Sequence, residues 1–248
     1  MVTHGSLFSG IGGFEEGAKL SNIETIWNCE YEKFQRLILK KHFPTTIQYD
    51  DIRTMHNARY VDIISGGFPC QDISVAGKGK GIDGDRSRLW FEMFRIIRES
   101  KPKYVIIENS PALLYKGFER VLCNLSSIGY NAEWQVLSNV SFGYPHQRER
   151  VYIIAYSNEI GLQSRVCEGR SFDSLFKKRT SNQNNGYSCA KRILEIPTHS
   201  DIRNDDGFRN WSHRVASVGN SVNRTLAHYL FECIKNHYQN HLKCSPLN

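Results

Sequence analysis

The stretch Val61-Asp62-Ile63-Ile64-Ser65-Gly66-Gly67-Phe68-Pro69-Cys70 limits what this chain can fold into more than any other. A short, branched apolar run has the length and make-up of a strand buried on both faces, which belongs in a helix-covered, largely parallel sheet. The run halts at two glycines, where the backbone turns sharply and can approach a ligand closely. Pro69 then fixes φ and removes a donor, so Cys70 rides on a stiff turn just past a strand's carboxyl end. Open α/β sheets bind their ligands there. On this stretch alone Cys70 reads equally well as a nucleophile or as one more small apolar core residue.

The amino-terminal segment repeats the strand, turn and helix order. Ser6-Leu7-Phe8 predicts a strand, Ser9-Gly10-Ile11-Gly12-Gly13-Phe14 a glycine turn, and Glu15 to Leu20 a helix with acids in its first turn. Glycines at such a junction allow a ligand to sit against the helix amino terminus. A second strand, Thr25 to Cys29, ends in Glu30, about twenty residues after the glycines, where an acid commonly accepts hydrogen bonds from ribose hydroxyls. Tyr31 to His42 has helical periodicity and is stopped by Pro44. A linker follows, and Gln48-Tyr49-Asp50-Asp51-Ile52 sets acids beside a short apolar stretch, suited to an adenine amino group.

Beyond Cys70, Val75 to Arg88 is rich in glycine and cations, with Lys78, Lys80, Arg86 and Arg88 available to a phosphate backbone, and predicts a lid. Leu89 to Arg98 predicts a helix, and the strand Tyr104 to Ile107 runs directly into Glu108-Asn109-Ser110. A carboxyl group at such a strand end can be held protonated and donate to a ring nitrogen. Phe118 to Ile128 predicts a helix, Glu133 to Val140 a strand, and Val151 to Ala155 another. Arg148 and Arg150, just before the last of these, alternate onto one face, away from Glu149. That pair suits a phosphate or a polarised carbonyl, or equally an exposed ion pair at a strand edge. From about residue 157 to 212 polar residues dominate and periodicity fades. A final helix follows Gly219-Asn220-Ser221-Val222, with Asn220 or Ser221 expected as its cap.

Composition narrows the setting. The seven cysteines are scattered with no Cys-x-x-Cys pair, which argues against a disulfide framework and a zinc site. A cytoplasmic protein in a reducing compartment is expected, because no secretory leader and no membrane-spanning apolar run is evident. A formal charge of +7 favours a polyanionic partner.

The ordered series Phe8 to Phe14, Gly67-Phe68-Pro69-Cys70-Gln71, Glu108-Asn109, Gln147-Arg148-Glu149-Arg150 and Gly219 to Val222 resembles the motif series of the DNA cytosine-5 methyltransferases. Five motifs in the family's order span the chain from its first strand to its final helix. The resemblance implies an α/β, Rossmann-like methyltransferase fold with a mixed, mostly parallel sheet flanked by helices, one late strand being antiparallel, plus a small irregular target-recognition insertion. The expected organisation is a catalytic and cofactor-binding domain over 1–156, the insertion over 157–212, and a segment and helix over 213–248 returning to the catalytic domain.

The resemblance also implies the site. S-adenosylmethionine, leaving as S-adenosylhomocysteine, would be held by Phe8, Gly10, Ile11, Gly12, Gly13, Glu30, Asp51 and Ile52. Pro69, Leu89, Asn220 and Ser221 would complete that pocket. Cys70, Glu108, Arg148 and Arg150 would form the active centre. Cys70 attacks carbon 6 of a cytosine while Glu108 engages ring N3 and the exocyclic amine, which makes carbon 5 nucleophilic enough to accept a methyl group. The base must first be flipped out of double-stranded DNA, at a few kcal/mol of unstacking. Gln71, Ser74, the cations of the lid and Arg209 are the expected DNA contacts. No metal is implied, and nucleoid association, a cognate restriction endonuclease or a specificity partner fit the family. The insertion is short for a family that reads several base pairs, which implies a brief site, a partner or lost stringency. Two other readings stay open: a DNA-binding relative without turnover, and a transfer RNA cytosine-5 methyltransferase. A nicotinamide oxidoreductase fares worst, since it leaves the cysteine and arginine motifs unused.

Overall fold

A computed structural model describes residues 1–69, 89–158 and 221–244, with side chains as far as residue 239. The described elements are β1 (Thr3–Leu7), α1 (Gly13–Leu20), β2 (Glu24–Cys29), α2 (Lys33–His42), β3 (Ile47–Tyr49), β4 (Ile63–Gly66), α3 (Leu89–Ser100), β5 (Tyr104–Asn109), α4 (Phe118–Ser127), β6 (Tyr130–Ser138), β7 (Glu149–Ser157) and α5 (Arg224–Cys244). The strands form one sheet in the order β3-β2-β1-β4-β5-β7-β6. Every pair up to β5 is parallel, whereas β7 runs antiparallel to both β5 and β6.

The central strands alternate their side chains between two cores, which explains why their sequences read as unbroken apolar runs. Ile63, Tyr104, Ile106 and Ile154 face Phe14 and Ala18 of α1 and Leu226, Leu230 and Phe231 of α5. Ile64, Val105, Ile107, Val151 and Ile153 face Trp90, Met93 and Ile97 of α3 and Val121 and Leu125 of α4. The two helices of the first layer touch closely at Gly17, where a methyl group would come within 2.5 Å of Ala227 Cβ. The pairing of β1 with β2 slips between His4 and Gly5. The Trp27 ring lies across Gly5, so close that a side chain there would overlap it.

The sheet is mixed, mostly parallel and helix-covered, with its antiparallel strand late in the chain, as expected. Three local expectations change. Residues 47–49, for which no strand was expected, form a short strand that pairs, among the described residues, with Trp27 to Cys29 alone. β6 starts at Tyr130, immediately after Gly129 turns the chain at φ +82°, and it stops before Asn139. Asn139 to Phe142 is a 3-10 turn, so the end of the expected strand, Val140, is exposed. The cap of α5 is Asn223: its Oδ1 accepts from the Thr225 amide at 2.9 Å, while Ser221 Oγ donates to the Val222 carbonyl. Asn220 lies outside the described residues, and so does the expected 157–212 insertion beyond Asn158. Among the described residues no helix is long and apolar enough to cross a membrane.

Candidate active site

The chain leaves β1 toward β2 on one side and β4 toward β5 on the other, so the direction of winding reverses between β1 and β4. Two neighbouring, oppositely departing connections leave a crevice beyond the strands' carboxyl ends. The glycine turn after β1 and the Gly67-Phe68-Pro69 turn after β4 both start there.

The glycine turn is built from unusual backbone. Phe8, Gly10 and Gly12 have φ of +55°, +57° and +96°, the left-handed region that a bulky residue such as Phe8 rarely adopts. Hydrogen bonds hold it: the Ser9 amide donates to the Cys29 carbonyl at 3.1 Å, and the Gly12 amide to the Ser9 carbonyl at 3.0 Å. Glu30 ties the turn to the next strand end. Its Oε2 accepts from the Gly10 amide at 2.7 Å and its Oε1 from the Glu32 amide at 2.9 Å. Burial raises the Glu30 pKa, and those amide donors pull the other way. A side chain on Gly10 would meet nothing within 4 Å, so the turn opens onto space beside Glu30. An open turn beside a carboxylate has the acceptor character that the ribose hydroxyls of S-adenosylmethionine would need.

The remaining cofactor candidates fall around it. Ile11 lies half-buried in the turn, and Gly13 opens α1, where a side chain would overlap the Val222 carbonyl and crowd Ser221 Oγ. Ile52 is buried. Asp51 is not free to receive an amino group: Arg53 grips both its oxygens, with Nε at 2.9 and 3.0 Å and an η-nitrogen at 2.7 Å. The same guanidinium lies over the ring of Tyr31, 5.5 Å from its centre. Pro69 and Leu89 are half-buried on either side of the undescribed residues 70–88.

Glu15, expected as one of two acids at a helix start, turns inward and is fully buried, as its neighbour Glu16 is not. Both its oxygens lack a well-formed hydrogen bond. Desolvation pushes its carboxyl from the usual 4.5 to about 7, although Ser9 and Ser6 counter this in part. An acid raised on folding takes up a proton, so its contribution favours the fold below pH 4.5 and is lost as pH rises through 7. That displacement corresponds to roughly 3 kcal/mol. Glu15→Gln is therefore expected to gain up to that much over the parent at pH 8.5 and little at pH 5, measured by urea unfolding at both values.

The second turn meets the end of β5. Glu108 lies buried with Oε1 3.0 Å from Arg150 Nε and 3.6 Å from an Arg148 η-nitrogen. The contact with Arg150 is close but poorly aligned, and Oε1 has no hydrogen bond of good geometry. Desolvation raises the Glu108 pKa, and the two guanidiniums oppose it. Glu108 Oε2 rests over Gly67, where a methyl group would sit 2.6 Å away. Asn109 Nδ2 donates to the Phe68 carbonyl at 3.1 Å, and its Oδ1 accepts from the Ser110 amide. Three candidates, Glu108, Arg148 and Arg150, thus converge with Gly67 on one point, bringing three separate motifs together. Cys70, Gln71, Ser74, Lys78, Lys80, Arg86, Arg88 and Arg209 lie outside the described residues, although Phe68 and Pro69 lead directly to Cys70.

Asn139 is a functional candidate that the sequence did not single out. It is buried beside the arginine strand, and the sequence offers little signal for it, since it is one of several polar residues between Glu133 and Phe142. Among the described residues no group of three or more His, Cys, Asp or Glu side chains is arranged to hold a metal ion.

A family model described as C-5 cytosine-specific DNA methylase matches residues 2–243. The curated Type II methyltransferase M2.BsuMI of Bacillus subtilis (strain 168) is 37% identical over 158 residues, 60% of this chain and 41% of the relative. M.HhaI of Haemophilus parahaemolyticus is 32% identical over 165 residues, 64% of this chain and 50% of the relative. The match thus spans about half the length of such relatives or less. Among solved structures, the S. pombe Dnmt2 methyltransferase superposes with a TM-score of 0.57 at 22% identity, over 71% of this chain and 55% of that one. The Entamoeba histolytica methyltransferase EhMeth superposes with a TM-score of 0.55 at 24% identity, over 63% and 53%. These likenesses show a common fold.

Proposed function

The chain belongs to the C-5 cytosine-specific DNA methylase family, and from that premise we propose that it methylates carbon 5 of a flipped-out cytosine in double-stranded DNA, using S-adenosylmethionine. The observation that carries the proposal is the buried Glu108 carboxyl, flanked by Arg148 and Arg150 and lying over Gly67 in the turn that leads to Cys70.

S-adenosylmethionine, when bound, supplies an electrophilic methyl carbon on a sulfonium. Gly10, Gly12 and Glu30 would hold its ribose and methionine portions, and Ile52 the flank of its base. With Asp51 engaged by Arg53, recognition of the adenine amino group requires that ion pair to open or to share.

The chain's own groups act on the cytosine. The Cys70 thiolate adds to carbon 6, forming a sulfur–carbon bond and pushing electron density toward N3 and carbon 5. Glu108, which burial biases toward its acid form, hands a proton to N3 and so neutralises the density arriving there. Arg148 and Arg150 keep that carboxyl oriented and present cations to the base carbonyl. Once carbon 5 carries the methyl group, its proton passes to solvent as the carbon 5–carbon 6 double bond re-forms and Cys70 leaves as thiolate, and the N3 proton returns to the Glu108 carboxylate. The expected DNA contacts and the small insertion over 157–212 would place the base. The Type II relatives support a restriction-modification setting with a cognate endonuclease or a specificity partner.

Bisulfite sequencing of plasmid DNA from cells expressing the protein tests this directly. Protected cytosines in a recurring sequence context are the expected result. Methylation at adenine, at cytosine N4, or on RNA in preference to duplex DNA in a competition assay would overturn it.

A further inference from the structure

Asn139 uses its hydrogen-bonding groups to connect two parts of the molecule 84 residues apart. Its amide donates to the Arg148 carbonyl at 3.1 Å, and its carbonyl accepts from the Tyr144 amide at 3.2 Å. Its side-chain Oδ1 accepts from Asn223 Nδ2 at 3.3 Å, which orients Nδ2 toward His146 Nε2, 2.6 Å away. One end of this bridge holds the backbone entering β7, where Arg148 and Arg150 flank Glu108. The other end holds Asn223, whose Oδ1 caps α5. The two residues before Asn223 abut the glycine turn: Val222 O and Ser221 Oγ lie 2.2 and 3.1 Å from where a Gly13 Cβ would sit. A second strut runs alongside, with Tyr144 Oη 2.9 Å from Thr225 Oγ1.

From this continuity we infer that Asn139 and Asn223 form a positioning bridge that transmits occupation of the glycine-turn pocket to the arginines around Glu108. The inference rests on the function proposed above. A ligand pressing on Gly10 to Gly13 bears on Ser221 and Val222. The capped start of α5 moves as a unit with them, and the amide–amide bond carries that displacement to the carbonyl of Arg148. Coupling between separated sites can be carried by packed groups and hydrogen bonds that join rigid elements. Here each step is a named contact between buried or half-buried groups. Asn139 touches no reacting atom and acts through Arg148.

Asn223→Ser separates coupling from folding. Serine caps a helix about as well as asparagine but is too short to reach Asn139. The probe is S-adenosylhomocysteine, read by amide hydrogen exchange over residues 139–150. In the parent, ligand binding is expected to slow exchange there. In Asn223→Ser that response is lost, while the melting temperature is little changed and S-adenosylhomocysteine affinity stays within about twofold. Turnover of Asn139→Ala and Asn223→Ser should each fall about tenfold at unchanged KM for the methyl donor. The double variant should be no worse than the more impaired single, as expected of one bridge. A parent that binds S-adenosylhomocysteine without any change over 139–150, or additive losses in the double variant, would overturn the bridge. A parent that does not bind S-adenosylhomocysteine at all would instead overturn the functional reading.

Discussion

Cys70→Ser is expected to lower methyl transfer by at least about four orders of magnitude, the scale seen when a covalent nucleophile is removed. The reason is acid–base chemistry. A free thiol is a few per cent thiolate at neutral pH and is intrinsically nucleophilic, whereas a serine hydroxyl needs an adjacent strong base to be useful. The described groups facing this turn are a carboxyl biased toward its protonated form and two arginines that cannot accept a proton. None of them is able to activate serine. A duplex carrying fluorine in place of the carbon-5 hydrogen gives a positive readout. With no proton to lose there, the parent should stall as a covalent protein–DNA adduct visible by mass spectrometry. Cys70→Ser should bind the same duplex and give no adduct. Retained transfer by the variant would remove Cys70 from the chemistry.

Glu108→Gln should cost about two to four orders of magnitude in turnover. The amide preserves shape and can still donate a hydrogen bond to a ring nitrogen, but it has no proton to transfer and no charge for Arg148 and Arg150. Its pH behaviour separates this from a packing defect. Burial raises the Glu108 pKa, so the acid form persists to higher pH than in an exposed carboxyl, and turnover of the parent should fall as pH rises through that elevated value. Glu108→Gln should lack that limb while keeping S-adenosylhomocysteine affinity. Glu108→Ala removes the carboxyl from between two guanidiniums and should lower thermal stability as well, because partly buried like charges then face each other. An unaltered pH profile in Glu108→Gln would assign the proton transfer to another group.

Much of this architecture was legible because both faces of the central strands are buried. Ile63-Ile64 and Tyr104 to Ile107 read as strands from composition alone, since water never requires their alternate residues to be polar. The candidate site was legible for a related reason: Gly66-Gly67, Glu108 and the glycine turn all follow such runs, and strand ends in an α/β sheet share one rim. What escaped was decided by tertiary packing. The three-residue β3 is held by its neighbour rather than by its own propensity. Glu15 and Glu16 are the same residue type, yet helix rotation buries one fully and leaves the other half-buried. Asn223, rather than Ser221 or Asn220, caps α5, because α5 begins at Arg224, where the chain meets α1 and the turn at Asn139. The grip of Arg53 on Asp51 arises within a loop whose conformation no periodicity describes.

The packing of α5 against α1 bears on how the polypeptide is made. Ser21 and His228 are hydrogen-bonded across 207 residues of chain, and Phe14, Ala18 and Ile23 are covered by side chains from α5. At about 5–20 residues per second of synthesis, the first helix leaves the ribosome roughly ten to forty seconds before its cover does. During that interval a nascent chain displays a greasy stripe beside an unfinished sheet, so its yield in a cell should depend on chaperone capacity and on translation speed between α1 and α5.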